Sequence, residues 1–146
     1  MKKYRFRLQK VLDVKEVLVK QSQRDLAAAQ EEKRQAEEEL KRSEQAVKQF
    51  ARKLEEESFA TVAELQQKYD YFYQMLENLD AQKDVVLQMD QKVEKVRQKL
   101  IQNQRNRKVL AALKEKSYQD YLEKVKLEEQ IALDEMAILG GNTLNG

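Results

Sequence analysis

The chain has 146 residues, of which 37% are charged and 7% aromatic, with no proline and a formal net charge of +2. Its three glycines, Gly140, Gly141 and Gly146, lie at the C-terminal end, so nothing in the first 139 residues interrupts a helix. The absence of cysteine and histidine removes disulfides, thiolate metal sites and the usual general base, which argues against an enzyme.

The N-terminal stretch Met1-Lys2-Lys3-Tyr4-Arg5-Phe6-Arg7 is basic but is not followed by the apolar run of a signal peptide. Apolar runs such as Val17-Leu18-Val19 and Ile138-Leu139 fall far short of the ~20 residues that cross a bilayer, so the chain is expected in the cytoplasm. A three-four spacing runs through Tyr4, Leu8, Val11, Lys15, Leu18 and Ser22, then slips by one residue to Leu26. From Leu26 it continues through Ala29, Lys33, Ala36, Leu40, Ser43, Val47, Phe50 and Leu54, the heptad seam of a left-handed coiled coil with charges on the remaining faces. The first helix is predicted over about 4–57.

Thr61-Val62-Ala63-Glu64 has the S/T-x-x-E form of a capping box, in which the Thr61 hydroxyl accepts from the Glu64 backbone N–H and the Glu64 carboxylate returns to the Thr61 N–H. A second helix, about 61–139, carries a seam of Leu65, Tyr69, Phe72, Leu76, Leu79, Lys83, Val86, Met89, Val93, Val96 and Leu100. It continues less regularly through Leu110, Leu113, Tyr118, Leu122 and Val125. Gly140-Gly141-Asn142 is expected to end it, leaving 140–146 as a loose tail. The rings of Tyr69, Tyr71, Phe72 and Tyr73 cannot all face one seam, and they read either as cover for the turn or as a partner-binding patch.

Two architectures fit: an antiparallel hairpin turning near 57–61, with room for a short extra helix at the turn, or one continuous helix that dimerises as a general scaffold or chaperone-like clamp. Charge order favours the hairpin. Residues 1–24 carry eight basic and two acidic side chains, net +6, and residues 91–126 carry eleven and four, net +7. Between them, residues 25–60 are net −3 and residues 61–90 net −4. Folding back near residue 59 brings the basic segments together, with Lys2, Lys3, Arg5, Arg7, Lys10, Arg105, Arg107, Lys108, Lys114 and Lys116 forming a pole suited to an acidic partner. Helix two, the longer, then projects beyond that pole over 119–139. The fold class is therefore all-α, a single two-helix antiparallel coiled-coil hairpin over 1–139.

No phosphate loop, nucleophile elbow, zinc or calcium motif is present in the sequence, and acidic runs such as Glu37-Glu38-Glu39 read as solvated helix faces. No catalytic residue, metal ligand or cofactor is assigned, and no small-molecule ligand is expected. Nucleic acid is also not expected, because basic residues alternate with glutamates in helix two and no zipper-type basic region leads into the heptads.

Phe6-Arg7-Leu8-Gln9-Lys10-Val11-Leu12-Asp13-Val14-Lys15-Glu16, opening a long helix, resembles the start of the flagellar export protein FliJ family. Lys108-Val109-Leu110-Ala111-Ala112-Leu113-Lys114-Glu115-Lys116, Tyr121 and the late Leu133-Asp134-Glu135-Met136-Ala137 resemble its C-terminal helix. The resemblance implies a non-enzymatic stalk of the flagellar type III export apparatus, similar in build to the gamma-subunit coiled coil of rotary ATPases. It further implies three partners: the hexameric export ATPase, the export gate membrane protein FlhA and substrate chaperones. The location is then the cytoplasmic face of the inner membrane. Carried over by position, Arg5, Phe6, Arg7, Leu8, Arg107, Lys108, Leu110 and Lys114 would face the ATPase ring. Phe72, Leu76 and Leu79 would face the gate or chaperones.

Overall fold

The computed structural model describes residues 3–58 and 61–145. Two helices account for nearly all of them, α1 over Gln9–Glu56 and α2 over Val62–Asn145, with no strand among the described residues. Of the residues between the helices, Glu57, Ser58 and Thr61 are not helical, and the rest of the predicted turn lies outside the described residues. Contacts divide the chain into unit one, Met1–Lys20 with Gln102–Gly146, and unit two, Gln21–Ile101.

Unit two is an antiparallel helix pair. As the α1 position rises from Glu32 to Phe50, its partner on α2 falls from Lys92 to Phe72. The α1 seam there is Ser22, Leu26, Ala29, Lys33, Ala36, Leu40, Ser43, Val47, Phe50 and Leu54, as the three-four spacing predicts, and all ten are buried or half-buried. On α2 the covered positions include Leu65, Lys68, Phe72, Met75, Leu79, Gln82, Val86, Met89, Val93, Val96 and Leu100. Tyr69 and Lys83 are exposed, contrary to the predicted seam, which takes steps of four and three from Leu65 where Lys68 and Gln82 keep steps of three and four. Long polar side chains hold such positions by burying their stems. Gln82 bears the cost, since its Oε1 is buried without a hydrogen-bond partner.

The start of α2 is capped as predicted on one side: the Glu64 backbone N–H donates to Thr61 Oγ1 at 3.2 Å, and the Leu65 N–H reaches the Thr61 carbonyl at 3.3 Å. Its end differs. α2 passes through Gly140 and Gly141 to Asn145, and neither glycine has the positive φ of a helix cap. Glycine lowers helix stability by about 1 kcal/mol relative to alanine but does not forbid the conformation.

Unit one pairs the start of α1 with α2. Its α1 seam is Leu12, Lys15 and Val19, with Leu12 4% and Val19 2% exposed, whereas Val11 is 43% exposed. The predicted phase through Val11 and Leu18 is thus displaced by one residue, and no slip is needed between Ser22 and Leu26. The α2 positions facing inward are more often polar than apolar: Asn103, Arg107, Leu110, Lys114, Ser117 and Tyr121.

Candidate functional site

The first helix begins later than predicted. Lys3–Leu8 is not α-helical; it runs as a strap that turns into α1 through the Gln9 N–H to Phe6 carbonyl bond of 3.1 Å. Clustered cations oppose the positive end of a helix dipole, and the first turn of α1 contains no acid to offset them. Along the strap Tyr4, Phe6 and Leu8 are half-buried while Lys3, Arg5 and Arg7 are exposed. That alternation of period two is the sequence signal for an extended segment, and the helical spacing through Tyr4 and Leu8 obscured it.

Tyr4 fastens the strap to α2. Its hydroxyl donates to the Lys114 carbonyl at 3.1 Å, and its ring lies edge-on to Tyr118 and tilted against Tyr121, with centroids 5.2 and 5.5 Å away. Contacts of this kind contribute about 0.5–1.5 kcal/mol each beyond the area they bury. Sequence reasoning assigned none of these three tyrosines to the site. A shallow groove follows the strap, lined on one side by Arg5, Phe6, Arg7 and Leu8 and on the other by Leu113, Lys116, Asp120 and Lys124. A second hollow joins Arg5, Phe6, Arg7 and Lys10 to Lys114. Both combine apolar side chains with a majority of cations among their charged residues.

Of the residues expected to face the ATPase, the structure gathers Arg5, Phe6, Arg7, Leu8 and Lys114 around these hollows. Arg107 and Leu110 are half-buried seam residues of the same unit, and Lys108 is exposed on α2. Lys2, the remaining cation next to the strap, lies outside the described residues.

Unit two holds the second predicted set. Phe72 stacks on Phe50, with centroids 6.1 Å apart and planes 14° from parallel, and Tyr71 meets Phe50 edge-on at 5.1 Å. Phe72, Leu76 and Leu79 are half-buried, whereas Tyr69, Tyr71 and Tyr73 are 45%, 54% and 62% exposed. Within the aromatic run Phe72 thus joins the helices, and Tyr69, Tyr71 and Tyr73 are exposed. Ion pairs flank the seam, with Lys33 Nζ 2.7 Å from Asp90, Lys92 Nζ 2.8 Å from Glu32, and Lys68 paired to Glu57. The Asp90 hydrogen bond, and then its charge, raise the Lys33 pKa, while the hydrogen bond from Lys68 lowers that of Glu57. On α1 alone, Arg34 bridges Glu31 and Glu38, and its hydrogen bonds lower the Glu31 pKa.

Among the described residues there is no acid cluster able to hold a metal ion, and no helix is long and apolar enough to cross a membrane. What remains is a coiled-coil helix pair with two differently built surfaces, one cationic and one aromatic. The family model for the flagellar FliJ protein matches residues 3–143, nearly the whole chain, and the chain belongs to that family. It is accordingly a component of flagellar protein export, in a family that is not catalytic. No curated protein and no solved structure matches it.

Proposed function

We propose that the chain acts as a coupling stalk of the export apparatus, binding the export ATPase through the strap and α2 of unit one. The observation that carries this reading is the strap itself: Tyr4 pins it to α2 while Arg5 and Arg7 stay exposed beside Lys114 and Lys116. Cations held on an ordered backbone present a patterned positive surface to an acidic ring, and they speed encounter as well as fix orientation. Arg107 and Leu110 then contribute by packing the helices behind this surface, and Lys108 adds to its charge. Docked in this way, the protein lies at the cytoplasmic face of the inner membrane.

The aromatic surface of unit two is assigned to the gate protein FlhA or to substrate chaperones. Exposed Tyr69, Tyr71 and Tyr73 supply interface anchors there, while Phe72, Leu76 and Leu79 support them from the half-buried side.

Co-purification with the flagellar export ATPase tests the first assignment. The Arg5→Glu, Arg7→Glu, Lys108→Glu triple variant is expected to lose most ATPase recovered by the wild type, with its helical circular dichroism unchanged. Undiminished recovery removes the cationic surface from the interface. A general homodimeric scaffold, the competing reading, predicts no selective capture of the ATPase at all.

A further inference from the structure

We infer that the outward face of α2 in unit two is a docking surface for a basic helix of a partner protein. This names the chemistry of the partner at the aromatic surface assigned above to the gate or the chaperones, and it rests on that assignment. At 100° per residue, Tyr69, Tyr73, Glu77, Asp80, Asp84 and Leu87 fall within an arc of about 80°, turned by about 130° from the seam of Lys68, Phe72, Met75 and Leu79. All six are exposed. Val62, 81% exposed, carries the same stripe back to the start of α2. Successive members are three or four residues apart, the spacing at which a second helix packs alongside. α1 occupies the seam, and none of the described residues covers this second stripe.

Charge selects the occupant. Elsewhere in unit two acids are answered by cations: Asp90 by Lys33, Glu32 by Lys92, Glu57 by Lys68, and Glu31 and Glu38 by Arg34. On the stripe, Glu77, Asp80 and Asp84 make no ion pair among the described residues. No lysine or arginine falls on the arc between residues 62 and 91, and Lys83, the nearest cation, stands about 40° outside it. Residues 61–90 are net −4. A helix with lysine or arginine opposite the three carboxylates, and apolar side chains opposite the rings and Leu87, complements this pattern in both sign and spacing. The tyrosine faces take the same cations that the carboxylates attract. An acidic helix would set like charges against each other at three successive contacts, and anionic lipid or nucleic acid would be repelled along the whole stripe.

Titration of the full chain with a labelled amphipathic peptide of leucine, alanine and lysine, about four heptads long, tests the surface against a counterpart with glutamate in place of every lysine. The lysine peptide should bind, less tightly as salt rises, and the glutamate peptide should not. Glu77→Gln, Asp80→Asn and Asp84→Asn combined should weaken binding about tenfold or more with circular dichroism unchanged, and Tyr69→Ala with Tyr73→Ala should weaken it severalfold. Glu128→Gln, Glu129→Gln and Asp134→Asn remove as much charge from unit one and should leave the affinity as it was. Failure of the lysine peptide to bind, or equal losses in the two charge variants, overturns the inference. Capture of detergent-solubilised FlhA and of a substrate chaperone separates the inference from the assignment it rests on. Partner recovered as fully by the Glu77, Asp80 and Asp84 variant as by the wild type overturns the basic occupant and spares the assignment. Recovery of neither partner, with the lysine peptide still bound at the stripe, overturns the assignment and upholds a surface for a basic helix.

Discussion

Unit one and unit two use the same three-four spacing for different ends. In unit two the seam is filled largely by Leu, Val, Ala and Phe, closed by the Phe50–Phe72 stack and flanked by ion pairs between the helices. In unit one Lys15, Asn103, Arg107 and Lys114 occupy inward positions, and aromatic contacts to a non-helical strap close the packing. Polar seam residues lower stability while fixing register. The contrast teaches that a coiled coil divides its labour by what it places in the seam: unit two is built to hold two helices together, and unit one to hold charge in a defined arrangement.

Breaking unit two should cost most. Phe72→Ala removes a half-buried ring and its stack on Phe50, and about 2 kcal/mol of stability should disappear, read from the urea midpoint. Tyr4→Ala, in unit one, should cost about 1–2 kcal/mol and release the strap. Amide exchange should accelerate at residues 3–20 in that variant while unit two stays protected, and uniform acceleration would erase the distinction between the units. In the opposite direction, Gln82→Leu should stabilise unit two by about 1 kcal/mol, because it removes the buried orphan oxygen. A lower midpoint in this variant would mean that Gln82 carries the register.

The smallest effect expected is with pH. Glu57, lowered below its ordinary 4.5, contributes stability that is present above that value and lost as pH falls through its folded pKa. Lys33, raised above its ordinary 10.5, contributes stability that is present below that value and lost as pH climbs through its folded pKa. Both groups are solvent-screened, so the unfolding midpoint should be flat between these limits and fall only gently outside them. Lys33→Met should flatten the alkaline side.

The two helices and the reversal between them were legible because no proline or early glycine competes with them and the charge order runs basic, acidic, acidic, basic. Register was less so. Val17-Leu18-Val19 offers an apolar residue in either phase, and the phase that runs into Ser22 and Leu26 without a slip is the one that buries Val19. On α2, Lys68 and Gln82 face inward where the predicted seam takes their neighbours Tyr69 and Lys83, because both phases fit a three-four spacing between Leu65 and Val86. The cations of the candidate site were legible as a cluster, but the tyrosines that fix them were not. Tyr4 meets Lys114 across 110 positions of sequence, and no local pattern marks such a contact. Phe72 could not be placed without Phe50, its partner on the other helix.

The division of labour is tested most directly by titrating purified export ATPase, at one ionic strength, with two variants of the full chain. Arg5→Glu with Arg7→Glu alters the unit one strap, and Tyr71→Ala with Tyr73→Ala alters the exposed rings of unit two. The account predicts that the first variant loses affinity by about tenfold or more while the second binds as the wild type does. Equal binding by all three proteins, or loss only in the tyrosine variant, would contradict it.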